Sequence, residues 1–520
     1  MSEATHTGDA APDAVSRRDA DEAKEASKRM RQLVEKRLAQ TAARSEGVFR
    51  RAGSADLRYE AVAEFVPVLA GPFDDRPEEP QAAIFTISYL ASNGDSGVGG
   101  AVDAATRPVC FAFNGGPGSS SVWLHLGALG PKRVVINDDG TMPAPPYTAA
   151  DNPQSWLSHF DLVFVDPPHT GYSTTASEKL RTKMLSVDGD VEALATAIHA
   201  WLARHRRFGA PVYLAGESYG TTRGAALADK LLDHGIALSG LVLVSCAMDI
   251  QTLEFAPGND LPHALFLPGF ASAAQYHGKL NGAGGSSPET ARKAAEAFVA
   301  DDYLLALYRG GALSQNERRK IAQALASLTG LPRQLVEQKN LRISDQVFFT
   351  HLLRDEGLLV GRLDARVTGP LGASRSHQWE FDPAIEALVA PYAMAAQAYF
   401  AQTLGIEAPQ RYEIMSMDVN KKWNWNRGEQ QGNSYACTST DLAKALRRNP
   451  HLRVLVASGY YDLGTPYSAT EYSLSQLDIP ADVARRITHR YYDAGHMMYT
   501  RTGDLSKLFT DLQAWLTSKA

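Results

Sequence analysis

The chain has 520 residues, of which 44% are hydrophobic and 21% are charged, and its formal net charge is −6. This balance is ordinary for a globular protein and excludes the strongly basic class of nucleic-acid-binding proteins. No run reaches the roughly 18 to 20 apolar residues of a membrane-spanning helix, so neither nucleic acid nor a membrane is predicted as a partner. The length predicts one large domain with an insertion or a second lobe.

The N-terminal segment and the cysteines bear on the compartment. Residues 1–50 are rich in Ala, Arg, Lys, Asp and Glu, which predicts a disordered start running into a solvated helix. The segment lacks the apolar stretch of a secretory leader. Cys110, Cys246 and Cys437 form an odd, sparse set without C-x-x-C spacing, which argues against disulfides and thiolate zinc sites. We therefore expect a cytoplasmic protein, or a periplasmic one if the start is processed, without a metal ion or other cofactor.

Short apolar runs then alternate with helical patterns. Two β-type runs come first. Four further apolar runs follow, and each ends abruptly at a glycine-rich or polar turn. Apolar residues at helical spacing precede the third of these four runs. Such alternation predicts an α/β fold with a mainly parallel sheet and helices on both faces. In chain order the runs lie at 65–69, 84–90, 109–113, 162–165, 212–215 and 241–244, and the helical pattern lies at 191–202.

The alternation of β-type runs and helical patterns stops after residue 250 and resumes near the C-terminus. The intervening residues read as helices and loops, which predicts a mostly helical cap inserted into the fold. β-type runs resume at 452–456 and 487–491, and a closing helix is predicted behind Asp504 as its N-cap. The predicted division has an N-terminal extension at 1–50 and an α/β core in two parts, at 51–250 and 435–520. The predicted cap, 251–434, lies between the two parts of the core.

A nucleophile elbow is the main chemical signal. Gly-Glu-Ser-Tyr-Gly at 216–220 fits G-x-S-x-G, follows an apolar run and precedes a helix of small residues. This context predicts the α/β-hydrolase fold, with Ser218 as the nucleophile. An oxyanion hole must accompany it, and the backbone N–H of Tyr219 is one predicted donor. The glycine-rich strand end at 114–118 is predicted to supply the second.

The base and its orienting acid are expected in the chain order Ser, Asp or Glu, His. His496 follows the 487–491 run directly and precedes the closing helix. Asp462 follows the 452–456 run, whereas its competitor Asp493 lies only three residues before His496. The acid of such a triad usually has a strand end of its own, so Asp462 is predicted.

Five motifs together resemble the serine carboxypeptidase family. They occur in family order and span most of the chain: FNGGPGSSS (113–121), DPPHTGYS (166–173), GESYG (216–220), SGYYDLGTP (458–466) and AGHMM (494–498). The resemblance implies Ser218, His496 and Asp462 as the triad, with Gly116 and Tyr219 giving the oxyanion N–H groups. It also implies that the helical insertion of the family corresponds to 251–434.

The resemblance further implies a site for the free C-terminal carboxylate of a substrate. Asn114 and Glu217 match two of its residues, but Ala128 occupies the position of a second glutamate, and Ala112 that of a tryptophan. Two carboxyls that share a proton can bind a carboxylate at acid pH. Without the second carboxyl, we expect weaker selection of a free C-terminus and a less acidic optimum, unless a residue of the cap replaces it.

The predicted function is a serine-type carboxypeptidase acting through an acyl-enzyme on a peptide or other acyl substrate. Met497, Trp423 and Trp425 are candidate pocket residues. Two alternatives stay open: an esterase or acyltransferase with the same triad, and a non-catalytic binding protein on the hydrolase scaffold. The sequence predicts no oligomeric state.

Overall fold

A computed structural model describes residues 12–51, 55–71, 78–92, 105–280, 286–374, 378–428 and 435–518. The strands are β1 (Ala43–Phe49), β2 (Leu57–Leu69), β3 (Pro80–Ala91), β4 (Val109–Phe113), β5 (Lys132–Val134), β6 (Ala149–Asp151), β7 (Asp161–Val165), β8 (Thr174–Thr175), β9 (Val212–Ser218), β10 (Leu238–Cys246), β11 (Leu358–Val360), β12 (Thr368–Pro370), β13 (Arg453–Gly459) and β14 (Ile487–Tyr492).

The α-helices are α1 (Pro12–Leu38), α2 (Val122–Leu124), α3 (Glu178–Met184), α4 (Val187–Arg204), α5 (Tyr219–Asp233), α6 (Leu261–Leu265), α7 (Leu267–Tyr276), α8 (Pro288–Phe298), α9 (Leu304–Arg309), α10 (Gln315–Thr329), α11 (Arg333–Gln338), α12 (Asp345–His351), α13 (Pro383–Gln402), α14 (Met417–Lys422), α15 (Ser439–Arg448), α16 (Tyr467–Ser475), α17 (Ala481–Ala484) and α18 (Thr502–Thr517).

One large sheet organises the fold. Its order is β1-β2-β3-β7-β4-β9-β10-β13-β14, with β8 paired to β3. The first three strands and β8 pair antiparallel, and the six from β7 to β14 run parallel. Successive residues of β4 belong to two core clusters on opposite faces, one shared with α18 and the other with α4 and α5. The predicted mainly parallel α/β sheet with flanking helices is confirmed.

The parallel half of the sheet positions the candidate site. β4, β9 and β13 run side by side in register, separated only by β10 between the last two. Because parallel strands end at one edge of a sheet, the loops after these strands meet there. The loops after β4 and β13 begin at Asn114 and Tyr460, and β9 passes directly into α5 after Ser218.

The N-terminal region differs from the prediction of a charged extension up to residue 50. Ala43–Phe49 is an edge strand of the main sheet, so the core begins before the predicted boundary. The last turns of α1 also pack on the sheet, since Val34 is buried and the Arg37 guanidinium lies 5.0 Å from the centre of the Phe65 ring. Residues 1–11 of the predicted disordered start lie outside the described residues.

The stretch predicted as a helical cap, 251–434, contains α6 to α14 and the short hairpin of β11 and β12. Its part at 264–365 has a hydrophobic core of its own, which Tyr461 and Leu463 join from the loop after β13, whereas α13 packs in a core of the main sheet. The predicted N-cap of the closing helix was wrong by three positions. α18 begins at Thr502, and Asp504 lies inside its first turn, where it pairs with Arg501.

The three cysteines are free. Within the described ranges, no helix combines the length and apolarity needed to cross a bilayer.

Candidate active site

Ser218 occupies the turn from β9 into α5. Its backbone has φ 59° and ψ −130°, which is uncommon for a residue with a side chain and marks a strained turn. Thr221 supports this turn, since its hydroxyl donates to the Ser218 carbonyl at 2.6 Å and accepts from the Ala247 N–H at 2.7 Å. The serine side chain is therefore presented at the C-terminal edge of the sheet.

Asp462 and His496 form a buried pair at the same edge. The Nδ1 atom of His496 lies 2.8 Å from Oδ2 of Asp462, and the two residues are 4% and 1% exposed, respectively. The N–H groups of Gly464 and Thr465 donate to Oδ1 of Asp462, and the Thr465 hydroxyl donates to Oδ2 at 2.7 Å. Asp493, the competing acid, is exposed. The geometry thus gives His496 the orienting carboxylate that a general base requires.

The ionisation of His496 follows from its neighbours. Burial lowers its pKa, but the carboxylate of Asp462 and the charge of Glu217 outweigh burial, so the pKa is raised from its usual value. A base with such a pKa takes up a proton in the transition state more readily and is itself protonated at mildly acid pH.

Backbone hydrogen bonds from the inserted region fix the loops that carry His496 and Asp462. The His496 N–H donates to the Leu363 carbonyl at 2.6 Å, and the Leu463 N–H donates to the Arg362 carbonyl at 2.9 Å. Ser245 holds His496 from the core side, because its hydroxyl donates to the His496 carbonyl at 2.6 Å. These backbone contacts carry no sequence signature, and sequence reasoning missed them.

The glycine-rich loop after β4 lies directly against the elbow. A Cβ atom at Gly115 would be 2.4 Å from the Tyr219 nitrogen and 2.8 Å from the Glu217 carbonyl oxygen. Only glycine permits this approach, which brings the predicted oxyanion donors, the N–H groups of Gly116 and Tyr219, to neighbouring segments. Tyr219 is also the first residue of α5, where the helix dipole favours negative charge.

Asn114 and Glu217, the predicted carboxylate-binding residues, come together beside the elbow. Both are buried, and the Asn114 side chain hydrogen-bonds Glu217. The Tyr499 hydroxyl donates to Oε2 of Glu217 at 2.5 Å. Burial raises the pKa of Glu217 to about 7, against the opposing effects of His496, Tyr499 and Asn114. Glu217 therefore exists partly as a neutral acid near neutrality.

The two alanines at the substituted positions are both buried. Ala112 is buried in β4, and Ala128 is buried in a turn at His125–Leu129. Neither side chain can donate or accept a hydrogen bond, so neither supplies a partner for a substrate carboxylate.

A fully buried ion pair lies beneath the glycine loop. Nε of Arg223 is 2.6 Å from Oδ2 of Asp190, and Nη1 of Arg223 donates to the Asn114 carbonyl at 2.6 Å. The guanidinium also lies over the Tyr219 ring, 5.2 Å from its centre. Sequence reasoning missed this pair, although a charged residue one turn inside the small-residue helix after the elbow was its signal.

The candidate pocket residues are divided. Trp423 and Trp425 contact the Tyr219 ring edge-on, with ring centres 5.1 and 5.5 Å apart, and Trp425 is partly exposed. Met497 is instead buried and borders a small cavity lined by residues of the inserted region, including Leu363. The structure thus brings the tryptophans, but not Met497, to the residue after the nucleophile. In the described part of the chain, no group of three or more His, Cys, Asp or Glu side chains is arranged to hold a metal ion.

Comparison with known proteins points to one family. Residues 99–252 match the family model described as serine carboxypeptidase. Serine carboxypeptidase-like 33 of Arabidopsis thaliana is 32% identical over 137 residues, 25% of this chain and 26% of that protein. A pheromone-processing carboxypeptidase of Yarrowia lipolytica is 33% identical over 141 residues, 26% of this chain and 21% of that protein. The matched segments thus cover about a quarter of the relatives' length.

The fold extends the similarity along the chain. The crystal structure of a prohormone-processing carboxypeptidase from Saccharomyces cerevisiae superposes with a TM-score of 0.53 at 16% identity, over 88% of this chain and 91% of that one. At this identity the superposition shows the fold alone. The chain thus resembles serine carboxypeptidases over residues 99–252, and as a whole it has the α/β-hydrolase fold.

Proposed function

We propose that the protein is a serine-type carboxypeptidase that hydrolyses C-terminal peptide bonds through an acyl-enzyme. The observation that carries the proposal is the buried Asp462–His496 pair, with Nδ1 and Oδ2 2.8 Å apart, at the sheet edge where the strained turn presents Ser218. The neighbouring Asn114 and Glu217 supply the case for C-terminal substrates.

In the proposed reaction, Ser218 Oγ attacks the scissile carbonyl while Nε2 of His496 takes the hydroxyl proton. The N–H groups of Gly116 and Tyr219 stabilise the oxyanion that forms. His496 then gives the proton to the leaving amine as the C–N bond breaks. Water attacks the acyl-enzyme with the same base, which releases the acid and regenerates Ser218.

Asp462 acts through His496 in this scheme. Its carboxylate accepts the Nδ1 proton, which leaves Nε2 free to act as the base, and it stabilises the imidazolium. Thr465 and the Gly464 N–H occupy the remaining acceptor positions of the carboxylate. Asp462 is therefore fixed in one orientation.

An esterase or acyltransferase is the second candidate. Ala128 and Ala112 remove polar and aromatic groups from the region that would receive a substrate carboxylate, which favours acyl substrates without one. Hydrolysis of an N-blocked dipeptide with a free C-terminus, compared with its C-terminal amide and a simple ester, separates the two. A preference for the free acid supports a carboxypeptidase, whereas turnover of esters alone supports the alternative.

A matched pair of variants tests the proposed acid. Asp462→Asn keeps the shape of the side chain but favours the wrong histidine tautomer, and kcat is expected to fall about 10⁴-fold. Asp493→Asn alters the exposed competitor and is expected to leave kcat within about twofold. Equal losses in the two variants would contradict the assignment of Asp462.

A further inference from the structure

The hydrogen bond between Tyr499 and Glu217 has no counterpart among the predicted site residues. Both side chains are buried, and the phenol oxygen lies 2.5 Å from Oε2 of Glu217. Tyr499 comes three residues after His496, in the turn at Met498–Thr500. One short segment therefore carries both the candidate base and a partner for the acid next to the nucleophile.

Gly127 leaves the space that this tyrosine occupies. A Cβ atom at Gly127 would lie 2.3 Å from Cε2 of Tyr499 and 2.7 Å from the Tyr392 hydroxyl. Gly127 and Ala128 belong to the His125–Leu129 turn, which packs against the Met498–Thr500 turn. The space left by the missing side chain at Gly127 is thus occupied by an aromatic ring from the opposite turn.

We propose that Tyr499 is a specificity-determining residue that positions Glu217, fixing which of its oxygens faces a substrate carboxylate and when that oxygen carries a proton. This inference rests on the proposed carboxypeptidase function. It names a phenol–carboxyl pair, in place of two carboxyls, as the group that selects a free C-terminus.

The proton count explains the selection. A phenol has one proton to donate, and here it is directed to Oε2 of Glu217. A proton on Glu217 itself is then carried by Oε1, which can donate to a substrate carboxylate. Once Glu217 ionises, the same oxygen repels that carboxylate. A free-acid substrate should therefore bind well below the titration of Glu217 and poorly above it, whereas an amide should bind equally on both sides.

Four groups shift the pKa of Glu217 besides burial: His496, Tyr499, Asp462 and Asn114. His496 and Asp462 act from the loops after β14 and β13, Asn114 from the loop after β4, and Tyr392 lies nearby on α13. Arg133, on β5, acts electrostatically on Tyr392 and lowers its pKa, against the larger effect of burial. Among these groups, Tyr499 and Asn114 donate hydrogen bonds that stabilise the ionised form of Glu217 and lower its pKa, against the larger effect of burial.

The test is the pH dependence of KM for an N-blocked dipeptide and its C-terminal amide, measured from pH 5 to 9. In the wild type, KM of the free acid should rise about tenfold per pH unit above the titration of Glu217, and KM of the amide should not. Tyr499→Phe removes the donor, so the rise should move to higher pH by about one unit. In Glu217→Gln, which has no ionisable carboxyl, the rise should vanish.

Tyr392→Phe is the matched control. It removes another buried phenol oxygen beside Gly127, for which the described part of the chain offers no hydrogen-bond partner, so the KM profile should keep its wild-type position. An unchanged profile in Tyr499→Phe, or an equal displacement in Tyr392→Phe, would overturn the inference while leaving the carboxypeptidase intact. Equal and pH-independent KM values for acid and amide in the wild type would instead overturn the proposed carboxypeptidase function.

Infrared difference spectroscopy gives a readout that needs no turnover. The protonated carboxyl of Glu217 should give a C=O band that disappears in Glu217→Gln, titrates near pH 7 in the wild type, and titrates at higher pH in Tyr499→Phe. A band whose midpoint is the same in both proteins would contradict the inference, even if the substrate proves to be an ester.

Discussion

The buried pair of Arg223 and Asp190 should contribute strongly to the free energy of unfolding. Both side chains are 0% exposed, and Nε and Oδ2 are 2.6 Å apart. Arg223→Met keeps a long unbranched side chain but leaves the Asp190 carboxylate buried without its cation. Breaking such a pair from one side lowers the free energy of unfolding by about 3 to 5 kcal/mol.

A double variant, Arg223→Met with Asp190→Leu, separates the effect of the unpaired charge from the effect of the changed packing. Adding Asp190→Leu removes the orphaned carboxylate, and replacing both partners of a buried pair by apolar groups is often neutral. A loss of about 1 to 3 kcal/mol should remain, because the Asn114 carbonyl loses its donor from Arg223. The double variant should therefore be more stable than Arg223→Met alone.

The loss should also depend on pH. Burial raises the pKa of Asp190, against the effect of Arg223, and removing the cation raises it further. A carboxyl whose pKa is higher in the folded state than its unfolded value of about 3.9 binds its proton preferentially in the folded state. Stability of Arg223→Met should therefore increase as the pH falls through the raised folded pKa, and its deficit should be smaller at pH 5 than at pH 8.

Urea unfolding followed by circular dichroism at both pH values measures these quantities. Arg44→Met is the control, because Arg44 and Glu60 form an exposed pair worth about 1 kcal/mol or less. The reasoning would be refuted if Arg223→Met cost no more than the control, or if the double variant were no more stable than the single one.

Three further predictions concern catalysis. Thr465→Val removes the hydroxyl that contacts Asp462 and His496. This change should lower kcat about tenfold, equivalent to about 1.4 kcal/mol, without a matching change in KM. An unchanged kcat would contradict this prediction. Because the pKa of His496 is raised, its protonated, inactive form persists above the usual histidine range. The kcat/KM for an ester should therefore fall as the pH is lowered through the pKa of His496. A kcat/KM that does not change from pH 5 to 8 would exclude His496 as the base. Gly115→Ala should lower kcat about 10²-fold or more by displacing an oxyanion donor, whereas Gly503→Ala, with open space around it, should not; equal rates for the two variants would refute the proposed oxyanion site.

The central strands were predictable because both faces of each are buried. The apolar runs at 109–113 and 212–215 became β4 and β9, since strands covered by helices on two sides read as continuous apolar stretches. The edge strand β1 was missed for the converse reason. Arg44 and Glu46 contribute to its alternating exposure, which resembles the charged segment before it.

The candidate site was predictable where one short motif fixes the local geometry. Ser218 is such a case, because the two glycines and the flanking strand and helix define its turn. Tyr499 was not predictable in this way, since its contact with Glu217 joins residues 282 positions apart. That contact also depends on the space at Gly127, which only the packing of the two turns reveals.

Mapping the site of covalent modification tests the assignment of the nucleophile most directly. The protein is treated with a fluorophosphonate at pH 7.5, and the modified residue is identified by peptide mass spectrometry, with Ser218→Ala as the blank. We expect one adduct on Ser218, which disappears in the blank and forms much more slowly in His496→Ala. An adduct on another residue, or labelling that persists in Ser218→Ala, would contradict the proposed catalytic site.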